Sequence, residues 1–200
     1  MSAAAALMGV LASLVAAAFL AGCLAAPVQH VVTKNSSGGE TITNYRWEKV
    51  VTKGSSSSVT RKYNKDADKA VIKVMSAGLS FAVFSFVGAV VSIVATLIYG
   101  VGMAKVPVGG ALMKIIIVIA GLATVICGLV SVMTIGFSLP DAHKEDCERR
   151  LLSSCDSEFY KKFHGEENNS KWRGGDGYIL GCVAMPFALL IVAFPFMYDP

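Results

Sequence analysis

The chain has 200 residues, 54% of them apolar and only 16% charged, with a formal net charge of +4 and a mean hydropathy of +0.58. Soluble domains carry about 25% charge mixed through the sequence; here the charges fall into two blocks between long apolar runs, which excludes an ordinary soluble enzyme and indicates an integral membrane protein. The small, localised net charge argues against nucleic acid as a partner, and the five cysteines, three of them in apolar runs, exclude a disulfide-rich secreted scaffold. The expected architecture is an all-α membrane protein, a four-transmembrane-helix bundle, with the possibility of a small antiparallel β-sheet from the first long loop.

Residues 3–26 form an uncharged Ala/Leu/Val run ending at Pro27, long enough for a first span. A cleaved signal peptide is the competing reading, but the run lacks a basic n-region and exceeds an ordinary h-region, so a retained helix is expected. Leu20-Ala21-Gly22-Cys23 also matches a lipoprotein cleavage box, without the Lys or Arg that should precede it.

Residues 27–73 are polar and Ser-rich, with nine basic residues against four acidic ones. Within them 41–52 is rich in β-branched and aromatic residues and reads as a strand, its alternation putting Tyr45, Trp47 and Val51 on one side. Weaker strands are expected at 28–34 and 57–63, with turns at Gly38-Gly39 and Lys53-Gly54-Ser55; a Ser-rich linker is the alternative.

The second span, 74–104, is uncharged throughout. A short turn at 105–114 leads to the third span, 115–139, and the two form a hairpin. Gly88 and Ser92 lie four apart, as do Ala120, Thr124 and Gly128, so each set shares a helix face that permits close packing within the chain or between copies. Residues 140–177 are a second polar block, with nine acidic and seven basic residues and with Cys147 and Cys155. The last span, 178–198, contains Pro186 and Pro195.

Four spans put both polar blocks on one side of the membrane. The positive-inside rule, with 16 basic residues in the long loops against Lys105 and Lys114 in the short turn, makes that side cytoplasmic. Two N-glycosylation sequons, at Asn35 and Asn168, and a possible Cys147–Cys155 disulfide make it extracellular.

No span interior carries an ionisable residue, which disfavours transport by a single copy. The histidines, His30, His143 and His164, show no metal-ligand spacing and read as solvated surface residues. There is no nucleophile motif or phosphate-binding loop. Catalytic residues, metal ligands and cofactors are therefore not expected. Tyr45, Arg46, Trp47 and Lys49 are the candidates for contact with a partner, aromatic residues beside Arg being favoured at binding surfaces. The alternative is that the aromatics pack onto the helices.

The order of elements, together with Asp176-Gly-Tyr-Ile-Leu-Gly-Cys-Val-Ala-Met-Pro-Phe-Ala-Leu-Leu-Ile-Val-Ala-Phe194 and Ser76-Ala-Gly-Leu-Ser-Phe-Ala-Val-Phe-Ser-Phe86, resembles the amastins, tetraspan surface glycoproteins of kinetoplastid parasites. The chain departs from that family in the first loop: Glu48 follows Trp47 where Gly is expected, and no cysteines flank it. The resemblance implies outward-facing long loops, cytoplasmic termini and a plasma-membrane location. The corresponding function is a non-enzymatic structural or interaction role at the cell surface, the partners being the lipid bilayer and either a second copy or other membrane or surface proteins. The other functional reading is an auxiliary subunit or small oligomeric channel or transport component.

Overall fold

A computed structural model describes residues 3–36, 38–101, 107–152 and 155–197. In chain order the elements are α1 (Ala3–Ala25), β1 (Gln29–Lys34), β2 (Glu40–Tyr45), β3 (Lys49–Lys53), β4 (Ser58–Lys62), α2 (Lys69–Val101), α3 (Pro107–Arg149), β5 (Gly165–Glu167), β6 (Ser170–Gly174) and α4 (Asp176–Met197), with a 3-10 turn at Glu158–Tyr160 before β5. All four helices are long and apolar enough to cross a membrane. The strands form one antiparallel sheet in the order β4-β3-β2-β1-β6-β5. The chain divides into two compact units: a helical one of Met1–Gly22, Phe81–Val130 and Leu180–Pro200, and one of Cys23–Ser80 and Ser131–Ile179 that contains the sheet.

In the helical unit, all four helices supply residues to one buried cluster, including Ala16, Ala95, Tyr99, Ile117 and Ile191. Small residues set the spacing. A Cβ on Gly88 would stand 2.6 Å from Thr124 Oγ1 and 2.9 Å from the Ala120 carbonyl, and one on Gly128 would meet Met185 Cε at 2.3 Å. At Gly88, where backbone of α3 is among the nearest atoms, only glycine allows the approach, whereas Met185 is a flexible side chain that can shift. The buried hydroxyls are all satisfied by carbonyls: Ser92 by Gly88 at 2.9 Å, Thr124 by Ala120 at 2.8 Å, and Ser85 across to Thr124 at 2.7 Å. Large apolar side chains such as Phe84 and Ile119 point outward, more than 60% exposed, as a lipid-facing surface requires.

Several boundaries differ from those read in the sequence. α3 starts at Pro107, so 107–114 is helix rather than turn, while 102–106, with Lys105, lie outside the described residues. It then continues through Pro140 to Arg149, a 43-residue helix of about 65 Å. That is twice a hydrocarbon core. Its apolar stretch, 115–139, is of a length to cross a bilayer, and the charged turns Pro140–Arg149 follow it. Proline costs a helix one donor, but the turns after Pro140 are held from outside the helix. Asp146, 3% exposed, accepts from the backbone N–H groups of Ala70 and Val71, both at 2.9 Å, and so caps the first turn of α2. Arg150, Leu151 and Leu152 close α3 in a Schellman arrangement, with Leu152 N–H on the Cys147 carbonyl and Leu151, at φ 55, bonded to that of Glu148.

The stretch 41–52 is two strands rather than one. The chain turns back at 46–48, Arg46 N–H donating to the Lys49 carbonyl at 2.9 Å, so Tyr45 and Val51 lie on opposite faces of the sheet and Trp47 on neither. Nor is the sheet confined to the first loop: β1 pairs with β6, and β5–β6 come from the second. The two residues between β5 and β6, Asn168 (φ 45) and Asn169 (φ 64), form a left-handed two-residue turn, a conformation asparagine tolerates.

Asp146→Ala would strand two buried donors. It is expected to lower stability by about 2 kcal/mol, read as a reduced thermal midpoint in detergent, while Glu145→Ala on the exposed side of the same turn changes it by less than about 0.5 kcal/mol.

Candidate functional site

The sheet has two unlike faces, set by strand alternation and register. On one, Val50, Tyr45, Val31 and Trp172 point toward a cover built from the end of α3 and from the segment before β5. Phe159 stacks edge-on to Trp172 at 5.6 Å, and the His143 ring lies 4.9 Å from Tyr45 and 5.1 Å from Phe159. Trp172 Nε1 donates to the Lys162 carbonyl at 2.9 Å. Beneath this cover lies a polar cavity of about 120 Å³, bounded by Tyr45, Asp68, His143, Arg150 and Tyr160 among others. Its size suits a few water molecules rather than a substrate.

The charges around that cavity are internally matched. Asp68 takes Arg61 at 2.7 Å and the Asn64 N–H at 2.8 Å, and it also pairs with Arg150. Burial alone would raise its pKa, but these donors outweigh burial and hold the carboxyl below the ordinary range. Burial pushes Tyr45 up to about 12 and raises Tyr63 further, so both phenols stay neutral. Tyr63 donates to the Arg46 carbonyl at 2.8 Å. His143 is not a solvated surface residue: Nε2 is enclosed and has no hydrogen-bond partner among the described residues, and burial pushes its pKa down to about 4. His30 stands 3.6 Å from Asp176, and His164 Nε2 accepts from the Gly174 N–H at 3.1 Å. Among the described residues no cluster of His, Cys, Asp or Glu could hold a metal.

Three of the four candidate contact residues are used inside this unit. Trp47 is 9% exposed and donates through Nε1 to the Cys23 carbonyl at 3.1 Å; Arg46 donates to that of Ala25 at 3.0 Å. Together they satisfy the last turn of α1, where carbonyls lack helical partners and a cation is favoured. Tyr45 belongs to the aromatic cover, and Lys49 alone of the four is exposed. The helix-packing candidates Gly88, Ser92, Ala120, Thr124 and Gly128 lie in the helical unit, where Gly88 meets Ala120 and Thr124.

Cys147 and Cys155 are joined by a disulfide, with Cα atoms 5.7 Å apart. Asn35 and Asn168 are both exposed and sit at turns at the same end of the sheet, away from the strand ends that join α1 and α4. The Lys34 N–H donates to the Asn169 carbonyl at 2.9 Å, which ties the two turns together.

The other face is open and basic. Lys34, Lys49, Lys53, Lys62, Lys171 and Arg173 all lie on it, against Glu40 and Glu166. Lys49 and Lys62 stand directly opposite each other, a like-charge pair that opposes strand pairing. A shallow groove on this side is lined by His30, Val32, Lys34, Lys171 and Arg173. Lys171 and Arg173 share a face with the first-loop lysines only because β1 pairs with β6 across about 140 residues, a juxtaposition with no local signal.

The chain matches no protein-family model and no curated protein.

The neutral, enclosed His143 makes the fold acid-sensitive. Its native pKa lies below the ordinary 6.5, so its contribution to stability is present above about pH 6.5 and is lost as pH falls from there towards 4. Thermal unfolding between pH 7 and 4 should show a loss of up to about 3 kcal/mol from this group, and His143→Gln should flatten that part of the profile.

Proposed function

We propose that the chain is a multi-pass surface membrane glycoprotein with a non-enzymatic structural or interaction role, its helices forming a bundle in the plasma membrane. Both polar blocks face outward and both termini are cytoplasmic. The observation that carries this reading is the company the sequons keep. Asn35 and Asn168, far apart in sequence, are exposed at neighbouring turns of one sheet, and the unit holding them contains a disulfide. Disulfides persist in oxidising compartments, and glycan acceptors sit on accessible turns.

The opposing count of basic residues loses weight because several have work within the fold. Arg46 caps α1, while Arg61 and Arg150 hold Asp68. The resemblance to the amastins agrees with this orientation. The channel-subunit reading gains little, because the small-residue faces of α2 and α3 are occupied by each other within one chain.

Gel mobility of protein made in a eukaryotic host, before and after N-glycosidase, tests the proposal. It expects a shift that shrinks with Asn35→Gln or Asn168→Gln and vanishes in the double variant. If the protein does not shift, protease added to sealed, cytoplasm-side-in vesicles decides: cleavage within the sheet unit supports the proposal, and protection of that unit overturns it.

A further inference from the structure

We propose that the open face of the sheet binds a sulfated polysaccharide chain. The residues that argue for it lie in register. Val32 and Ile42, in register on β1 and β2, with Val51 diagonal to them on β3 beside the buried Asn44, form a short aliphatic stripe of half-buried side chains. Cations stand at both ends of that row and on either side of it. Lys53 is the register partner of Ile42 and Lys171 that of Val32; Lys49, Lys62 and Arg173 lie towards the helix ends of the strands and Lys34 towards the glycan-acceptor end.

Only Lys34 and Lys171 have an acidic neighbour on this face, at 3.4 Å from Glu40 and 2.8 Å from Glu166, and both lysines are still more than half exposed. No ion pair engages Lys49, Lys53, Lys62 or Arg173 among the described residues, and Asp176, at the foot of the face, is turned to His30. Lysines that face one another without carboxylates cost stability. Clustered basic residues of this kind are the footprint of a polyanion.

The chemistry of the stripe narrows the class. The face presents no exposed Phe, Tyr or Trp on which a nucleobase could stack, Trp172 being buried beneath the groove, which disfavours nucleic acid. It has no fully exposed apolar side chain to enter a lipid layer, the stripe residues all being half-buried. An extended sugar chain presents C–H faces to an aliphatic strip and sulfate or carboxylate groups along both its edges. The five strands from β4 to β6 give it a path of about 19 Å at roughly 4.8 Å per strand. That such a chain is met outside the cell rests on the outward orientation proposed above; the binding itself does not.

The test uses the purified full-length protein in uncharged detergent, with immobilised heparin as the probe and retention measured against salt. The wild type should be retained at about 150 mM salt, where the Debye length is about 8 Å. Lys53→Glu with Arg173→Glu should weaken binding by about twenty-five-fold, since each surface charge pair contributes roughly a factor of five, and should lower the salt dependence. Lys65→Glu with Lys69→Glu makes the same change in net charge away from this face and should stay within about three-fold. Unchanged thermal midpoints show that the variants fold. An unretained wild type, an equal loss in the control pair, or preference for phosphatidylserine vesicles over heparin would overturn the inference. Heparin retention alongside cytoplasmic loops would instead leave this inference standing and remove the surface reading.

Discussion

The pairing of β1 with β6 is the interaction on which the sheet unit depends. Five residues of the first loop, Gln29–Thr33, align with five of the second, Gly174–Ser170, and the two loops become one folded body. Without that ladder the first loop would keep a four-strand meander and the second a lone two-stranded hairpin, which is marginal in water. With it, Trp172 lies beside Val31 under the same aromatic cover as Tyr45, and Lys171 and Arg173 join the lysines of the first loop on the opposite face. The close approach of α4 to the exit of α1 follows from the same alignment: Gly175 and Gly177 N–H groups donate to the carbonyls of Val28 and Pro27, both at 2.8 Å, and a Cβ on Gly175 would lie 2.3 Å from the Pro27 oxygen.

The charged groups divide by what they face. Those beneath the aromatic cover are matched, with Asp146 on the start of α2 and Asp68 between two arginines, because an unpaired charge in an enclosed site is costly. Those on the open face are largely unmatched, which water tolerates and a polyanion would relieve. A count of basic residues by loop does not make that distinction.

The spans were legible because hydropathy over about 20 residues is a strong signal and requires no tertiary information. The strand content of 28–63 was legible from β-branched residues and turn signals, although the reversal at 46–48 was not, since Arg46 and Trp47 leave the strand to reach carbonyls of α1. α3 read too short because Pro140 and the charges after it look like a loop; the capping role of Asp146 depends on α2, about 75 residues away. Strands β5 and β6 were hidden for a related reason. Their hairpin signal, Asn168-Asn169, coincides with a sequon, and their segment is too polar to alternate visibly. His143 lacked any local mark of burial, since its enclosure comes from Tyr45 and Phe159.

Cross-linking across β1 and β6 tests the joined sheet most directly. Thr33 and Ser170 are register partners whose hydroxyl oxygens lie 3.1 Å apart. In a Thr33→Cys/Ser170→Cys variant the account predicts a disulfide between the two loops, recovered as a cross-linked peptide by mass spectrometry after non-reducing digestion. Two reactive, unlinked thiols at these positions under oxidising conditions, with the Cys147–Cys155 bridge intact, would contradict it.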